Sequence, residues 1–424
     1  MRIEEKAIEL MKSSFICDNC LGRAFAGLLT GYTNEQRGKI IRQYIAFLID
    51  SGEKIDVDLS NFYGIKFRNV KVEIKKPEKC KVCKNFFLEK IDFFAEKIVE
   101  KIGKIEFDTF LIGSIISRDL IKAEEEVWNK IGIEHCESIK SEINRELGKK
   151  VEKLTKKKFS LKNPDVTAIV DLNTESVKAE VRSLYVFGKY KKLVRGIPQA
   201  KWVCLKCNGK GCTYCKGVGK LYKTSVQEII EKPLLKATMS KKSKFSASGR
   251  EDIDARCLDW RPFVIELIKP VKRKINLKKI EKEINKSKKV KVKELKFVGK
   301  EMIRKLKSGR IDKTYLAIVE FEKPIDKERL KDLENLTKEP ILQKTPTRVI
   351  HRRADKIRKK LVKEISWKLL GKRNLKLKVR GESGLYIKEL INGDEGRTKP
   401  NVSELLGNKV KKISLDVIKI HSKG

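Results

Sequence analysis

The chain has 424 residues, with 99 Lys or Arg against 57 Asp or Glu, a formal charge of +42 at pH 7, and a hydrophobic fraction of 40%. That length and apolar content call for two to three folded domains, and the charge surplus suits attraction of a polyanion, with nucleic acid the natural partner; heat adaptation alone tends to raise Lys and Glu together. No apolar run approaches the roughly 20 residues of a membrane helix, and MRIEEKAIEL has no signal-peptide pattern, so a cytoplasmic protein without a membrane span is expected.

The first sixty or so residues read as helices, and Ile40, Ile41, Tyr44, Ile45 and Leu48 form an apolar stripe at 3.6-residue spacing. Cys17 and Cys20 precede the second helix. A strand-like stretch from Val70 to Ile74 leads to Cys80 and Cys83, and helical periodicity follows from Phe86 to Ile102. Thiolates three apart on a turn can present both sulfurs to one tetrahedral Zn²⁺, and two such pairs complete a closed structural site. Cys17, Cys20, Cys80 and Cys83 therefore mark residues 1–85 as a zinc-binding helical region, against the alternative of four unligated thiols.

Residues 86–202 alternate strand and helix: FDTFLIGSII, a helical CESIKSEINRELGKKVEKL, then DVTAIVDL and VKAEVRSLYVFG. That order predicts a small α/β domain. Residues 203–220, VCLKCNGKGCTYCKGVGK, form a short Cys-rich finger in which Gly209, Gly211, Gly217 and Gly219 permit tight turns. Cys204, Cys207, Cys212 and Cys215 fit a second zinc site or a reversible disulfide pair, since Cys-x-x-Cys is also a redox spacing. Cys136 and Cys257 stand alone and read as small buried residues.

Residues 221–424 carry strand candidates at Phe263 to Ile268, Lys291 to Val298, Tyr315 to Phe321, Leu375 to Val379 and Ile413 to Ile420, predicting an α+β sheet domain. Within it, Gly249-Arg250-Glu251-Asp252 places Arg250 and Asp252 two apart, on the same face of an extended segment. By itself such a pair reads as a surface ion pair. Arg348, Arg352 and Arg353 with His351 make TPTRVIHRR a cationic run suited to phosphate contacts, and Arg397 and Lys399 in GDEGRTKPN look like further backbone contacts.

The cysteine pairs, LVRGIPQAKW, GREDID, QKTPTRVIHRR, GLYIKELINGDEGRTKPN and ISLDVIKI span almost the whole chain and together resemble one family: the archaeal and eukaryotic tRNA pseudouridine synthases with an N-terminal zinc site and a THUMP domain. NPDVTAIVDL...VRSLYVFGKYKKLVRGIPQ resembles THUMP itself, an RNA-binding module in the families that carry it. The resemblance implies a zinc-containing and THUMP α/β half followed by a mixed-sheet catalytic domain. It implies a monomer that takes tRNA, without organic cofactor or nucleotide cosubstrate, and isomerises uridine at T-loop positions 54 and 55. By the same resemblance Asp252 is the nucleophile, Lys388 its basic neighbour and Tyr315 the ring against the flipped base. Ile387 and Leu415 wall the pocket, and Arg250 is a second cation or a hold on the RNA backbone.

The chain departs from the family in having Cys257-Leu258-Asp259-Trp260 where relatives usually have a Gly-containing turn. Two other readings stand beside this one. A THUMP-bearing methyltransferase or thiouridine synthase would need a nucleotide loop that SASGRED does not supply. An RNA-binding protein or chaperone without catalysis would tolerate loss of Asp252.

Overall fold

The computed structural model describes residues 2–71, 73–309, 311–352 and 354–421, and the chain divides into two compact units, Met1–Arg182 and Ser183–Gly424. The first unit runs α1 (Ile3–Met11), α2 (Asp18–Arg23), α3 (Asn34–Asp50), α4 (Phe86–Glu89), α5 (Ile91–Ile102), β1 (Thr109–Ile115), α6 (Arg118–Ile131), α7 (Ile139–Thr155), β2 (Lys158–Phe159), β3 (Val166–Asp171) and β4 (Ser176–Val181). Helix α3 starts at a capping box: Thr33 accepts from Gln36 N, and the Gln36 side chain accepts from Thr33 N.

Glycines set which side of α3 is buried. A Cβ on Gly38 would lie 2.0 Å from Asp18 O, and one on Gly22 would lie 1.8 Å from Asn34 O, so α2 and α3 cross in backbone contact. The inward side is then Asn34, Arg37, Gly38, Arg42, Ile45, Ala46 and Ile49. The apolar stripe predicted from sequence is therefore only partly inside, with Ile40 45% and Tyr44 48% exposed. Arg42 is tolerated there because it bonds Asp18 Oδ1 at 2.7 Å and the Asn61 and Ile16 carbonyls. The described part of the stretch from Val70 to Ile74 forms no strand, and the helix predicted over 86–102 breaks into α4 and α5 at Lys90.

In the sheet of this unit, β1 lies between β2 and β3, parallel to both, and β4 closes the edge antiparallel to β3. Alternate β1 residues Phe110, Ile112 and Ser114 are buried, as a period of two requires. Cys20, Cys80 and Cys83 share one apolar core with Phe94, Phe110, Ile143 and Ala168. Of the two lone cysteines, Cys257 is buried as expected and Cys136 only half-buried.

The second unit runs β5 (Leu184–Lys192), α8 (Val226–Thr238), β6 (Lys242–Ala247), β7 (Arg256–Ile268), α9 (Leu277–Ile284), β8 (Val290–Val298), α10 (Glu301–Ser308), β9 (Lys313–Phe321), β10 (Ile341–Gln343), β11 (Arg358–Lys360), β12 (Val362–Leu369), β13 (Asn374–Gly381), α11 (Ile387–Asn392), β14 (Thr398–Lys399), α12 (Val402–Leu405) and β15 (Val410–Ile420). All five strand candidates of this half fall in strands. The mixed sheet has the order β12-β13-β9-β15-β7-β5-β8, with β6 also on β7, and β11-β10-β14 form a small separate sheet.

The strand and helix alternation extends the predicted α/β domain to residue 202, but β5 pairs antiparallel with both β7 and β8 and so belongs to the second unit. Its alternating pattern fits either sheet, and only the long-range partners decide. Along β7, Arg256 and Cys257 pair with β15, whereas Phe263 to Ile268 pair with β6. Two strands thus share one edge of β7, and the loop joining β6 to β7, which contains GREDID, falls where one gives way to the other.

Candidate active site and cysteine centres

The loop over 248–255 is held from below by the end of β5 and the chain that follows it. Gly249 has φ +77, a left-handed conformation that glycine adopts readily, and a Cβ there would come within 3.1 Å of Arg261 Nη1. Exposure then alternates: Arg250 is exposed, Glu251 buried and Asp252 half-buried. Glu251 points inward, where Tyr190 Oη donates to its two oxygens at 3.1 and 3.0 Å and Arg261 Nε lies 3.2 Å away. Burial and the Glu251 charge push the Tyr190 phenol well above its ordinary pKa, so it stays a donor.

Gln199 Nε2 donates to Tyr190 Oη at 2.7 Å and to Gly249 O at 3.0 Å, and Lys192 Nζ donates to the Asp252 and Ile253 carbonyls at 3.0 and 2.9 Å. Arg195 donates to Asp254 O at 2.6 Å and Leu415 O at 2.8 Å, tying the loop to β15. The LVRGIPQ segment is therefore a brace for the loop that carries Asp252.

Above the brace lies a cavity of about 530 Å³, within the usual range for a small-molecule site. Asp252 Oδ1 accepts from Arg348 Nη1 at 2.8 Å, and its Oδ2 is 3.5 Å from Lys388 Nζ, which also bonds both Asp254 oxygens at 2.8 and 2.7 Å. Partial burial would raise the Asp254 pKa, but Lys388 and Arg348 outweigh it and hold the carboxyl below its ordinary value. Arg348 also bonds Glu389 through Nε at 2.6 Å. Lys388 stands in the first turn of α11, whose entry is fixed by the Gln343 amide bonding both Tyr386 N and Tyr386 O at 2.9 Å.

Tyr315 comes from β9, opposite Val379 and Val417. Burial, partly offset by Arg261, pushes its phenol up to about 12, so near neutral pH it is a protonated ring rather than a phenolate base. Two residues earlier on the same face of β9, Lys313 is buried. Burial first and Arg261 second bring its ammonium down to about 8, and Nζ donates to Ile311 O at 3.0 Å. Ile387, Leu385, Leu415 and Val417 add apolar wall.

Asp252, Tyr315, Lys388, Arg250, Arg348, Ile387 and Leu415 thus line one cavity, although they come from distant parts of the sequence. Arg348 departs from the plain phosphate contact expected of it, because its guanidinium is bonded to Asp252 and Glu389. Arg397 and Lys399 do not line the cavity: Arg397 donates to Thr345 O and pairs with Asp355 at 2.5 Å, and Lys399 lies exposed on β14. Arg353 and the side chain of Arg352 lie outside the described residues. Sequence reasoning misses Lys313, Glu251 and Arg261. Strand alternation could have found the first two, as the residue two before Tyr315 and the inward residue between Arg250 and Asp252.

Each group of four cysteines could hold a metal ion, with its sulfurs all within 4.8 Å of one another. Cys17 Sγ lies 3.5 Å from Cys83 Sγ in the first group. In the second, Cys204 to Cys212, Cys207 to Cys215 and Cys212 to Cys215 are 3.9, 3.8 and 3.7 Å apart. A tetrahedral site with metal–sulfur bonds of about 2.3 Å has sulfur–sulfur edges of about 3.8 Å, whereas a disulfide needs about 2.05 Å. Backbone N–H groups of Cys17, Gly211, Cys212 and Gly219 approach sulfurs at 3.1 to 3.3 Å, the contacts that stabilise thiolates. In both groups the arrangement fits a metal, and all ten cysteines are free thiols.

A mixed sheet presenting a cation-flanked aspartate in a nucleotide-sized cavity, in a chain that also carries a small α/β unit and two four-cysteine centres, has the parts of an RNA-modifying enzyme. Residues 185–421 match the family described as Pus10, C-terminal, and residues 94–171 match the Pus10 THUMP domain, archaeal. The tRNA pseudouridine synthase Pus10 of Methanothrix thermoacetophila is 38% identical across 98% of this chain and 93% of that protein, and its namesake from Methanopyrus kandleri is 41% identical across 98% of each. The chain belongs to the Pus10 family of tRNA pseudouridine synthases. Among solved structures, one chain of a Cbf5-Nop10-Gar1 complex aligns with 55% of this chain and 48% of its own length at 14% identity and a TM-score of 0.30, too low to add to that assignment.

Proposed function

We propose that the chain isomerises uridine to pseudouridine in the T-arm of tRNA, at positions 54 and 55, with the Asp252 carboxylate as nucleophile. The observation that carries this is the meeting of Asp252, Lys388, Arg348 and Tyr315 with apolar walls in one cavity. The flipped nucleotide enters with its uracil against Tyr315, Ile387 and Leu415. Asp252 attacks the nucleoside, the N1–C1′ bond breaks, the uracil turns, and C5–C1′ forms as the bond to Asp252 breaks and the free carboxylate returns. C5 loses a proton and N1 gains one, so the reaction balances as an isomerisation and calls for no organic cofactor or nucleotide.

Lys388 and Arg348 orient the carboxylate, and the protonated Tyr315 hydroxyl can donate to the turning base. Arg250, exposed where the cavity opens, holds the opened RNA backbone. Both cysteine centres are read as structural zinc sites, closed by four sulfurs and remote in role from the chemistry. The small α/β unit around residues 94–171 is read as an RNA-binding domain, and the enzyme as a cytoplasmic monomer.

Asp252→Asn protein should bind a tRNA transcript with near wild-type affinity and form no pseudouridine, read by mass spectrometry of digested RNA. Undiminished pseudouridine would remove Asp252 from the mechanism. Transcripts with cytidine at position 54, 55 or both should lose the product only where uridine was replaced.

A further inference from the structure

Cations crowd the Asp252 cavity, and Lys388, Arg348 and Lys360 are each neutralised by carboxylates. Lys388 pairs with Asp252 and Asp254, Arg348 with Asp252 and Glu389, and Lys360 with Glu382 at 2.9 Å. Lys313 differs. It lines the same cavity and is only 7% exposed, yet among the described residues it has no carboxylate partner, and the one acceptor for its three N–H groups is Ile311 O at 3.0 Å.

The acids around it are already taken. Asp312 pairs with Lys363 at 2.6 Å and Arg380 at 3.6 Å, Glu251 with Tyr190 and Arg261, and Asp252 with Arg348 and Lys388. From β7, Arg261 adds a like charge, and burial holds the Cys257 thiol above its ordinary pKa and so uncharged. The strands on either side place Gly381 and Ile420 opposite Lys313. A Cβ on Gly249 would lie 3.5 Å from both Cε and Nζ of Lys313, so this left-handed glycine leaves room beside the amine. Lys313 and Tyr315 are two apart on β9, so they project to one side with Cα atoms about 7 Å apart. A uracil lying against Tyr315 has an edge within reach of the amine.

An ammonium buried without a counter-ion costs stability, and a site that keeps one is prepared for negative charge that develops on the substrate. Breaking N1–C1′ with both electrons left on N1 creates such a charge, shared between the ring and its carbonyl oxygens. We infer that Lys313 is a catalytic residue whose ammonium donates to a uracil carbonyl oxygen and holds the negative charge that forms on the base as N1–C1′ breaks. This rests on the reading of Asp252 as nucleophile. Lys313 keeps its three protons throughout. The charge leaves the base when C5 bonds to C1′ and the electron pair returns to the Asp252 carboxylate, and the transfer of a proton from C5 to N1 is a later, separate step.

The test uses the full chain and a tRNA transcript with one target uridine, under single turnover with enzyme in excess. Lys313→Met should lower the saturated rate at least about 100-fold, the usual cost of removing one donor from a developing anion, while tRNA affinity stays within about threefold. Its unfolding transition should rise, because the buried charge is gone. In wild type, kcat/KM should fall as pH rises through about 8, where the ammonium loses its proton, and Lys313→Met should lack that fall. A transcript with 5-fluorouridine at the target separates the roles, because fluorine withdraws electrons and stabilises the departing base without help from the protein. The variant's loss in consumption of 5-fluorouridine, read by chromatography of digested RNA, should shrink to less than about tenfold.

A saturated rate within about threefold of wild type would overturn the inference. So would a loss of affinity large enough to account for the lost activity, which would put the amine on an RNA phosphate, or a lowered unfolding transition, which would make Lys313 a structural residue. An equal loss with uridine and 5-fluorouridine would overturn it too, by showing that the amine does not act on the charge of the base. Asp252→Asn run in parallel keeps the two readings apart. Undiminished pseudouridine from that variant would remove the nucleophile, while the Lys313→Met rates with the two bases would still report on charge at the departing base.

Discussion

Two pairs of Cys-x-x-Cys build each cysteine centre, yet the centres sit in opposite surroundings. In the first, Cys20, Cys80 and Cys83 are buried within the apolar core of the first unit, where two segments distant in sequence meet. In the second, the apolar core of the adjoining fold, built on Val186, Tyr190, Val226 and Phe263, includes none of the four cysteines among its described residues, and Leu205, Tyr214 and Val218 around them are exposed. The same ligand chemistry thus serves a core in one place and a surface element in the other. What differs is the loop each centre closes: a long one containing α3, against a turn of a few residues.

The comparison breaks most visibly if the first centre is removed. Cys80→Ser should cost one metal per chain and abolish the cooperative unfolding transition of the first unit, since structural zinc contributes on the order of 10 kcal/mol to small folds that depend on it. Calorimetry with elemental analysis reads both outcomes, and a first unit that melts as in wild type without its metal would mean the core does not need the staple. Gly38→Ala should act on the same centre through packing. Its Cβ would meet Asp18 O at 2.0 Å and displace the helix that begins beside Cys17. The cost should be about 3 kcal/mol in urea unfolding of this unit.

How much of the molecule is legible in the sequence depends on the range of the interaction. The cysteine pairs, the strands of the second unit and the cavity-lining Asp252, Lys388, Tyr315, Ile387 and Leu415 are readable because spacing or motif carries them. The inward side of α3 is not, because backbone contact at Gly22 and Gly38, and the partners waiting for Arg42, decide it rather than apolar periodicity. The assignment of β5 fails for a related reason, its partners β7 and β8 being remote in sequence. In the site, Arg348 is dense positive charge in the sequence and becomes a partner of Asp252 and Glu389 only when three segments converge.

Lys313 sharpens the comparison from the second unit, where a buried charge lies beside the Asp252 loop without any metal to hold it. Its native pKa of about 8 lies below the ordinary lysine value of 10.5. Below pH 8 both folded and unfolded chains hold the proton and the folded state bears the full penalty. Between about 8 and 10.5 the unfolded chain binds more protons, so stability rises with pH, and above that window the penalty is gone. Lys313→Met should therefore stabilise the second unit by on the order of 2 kcal/mol near neutral pH, with the gain fading towards the upper end of that window. Denaturant midpoints that shift equally near pH 7 and near pH 10 would show that the ammonium is not what burial penalises.

The smallest effect on stability is expected from the second centre, and it is the most informative. Cys212→Ser removes one sulfur from a finger whose buried members are little more than Cys204, Cys215 and Gly219. The unfolding transition of the second unit should therefore move by no more than about 2 °C. Metal content, read by elemental analysis, should fall by one per chain. If the transition instead collapsed, the finger would be a staple like the first centre. A transition that holds while the metal is lost would show a finger organised by its own four sulfurs and adding little to the stability of the sheet beside it.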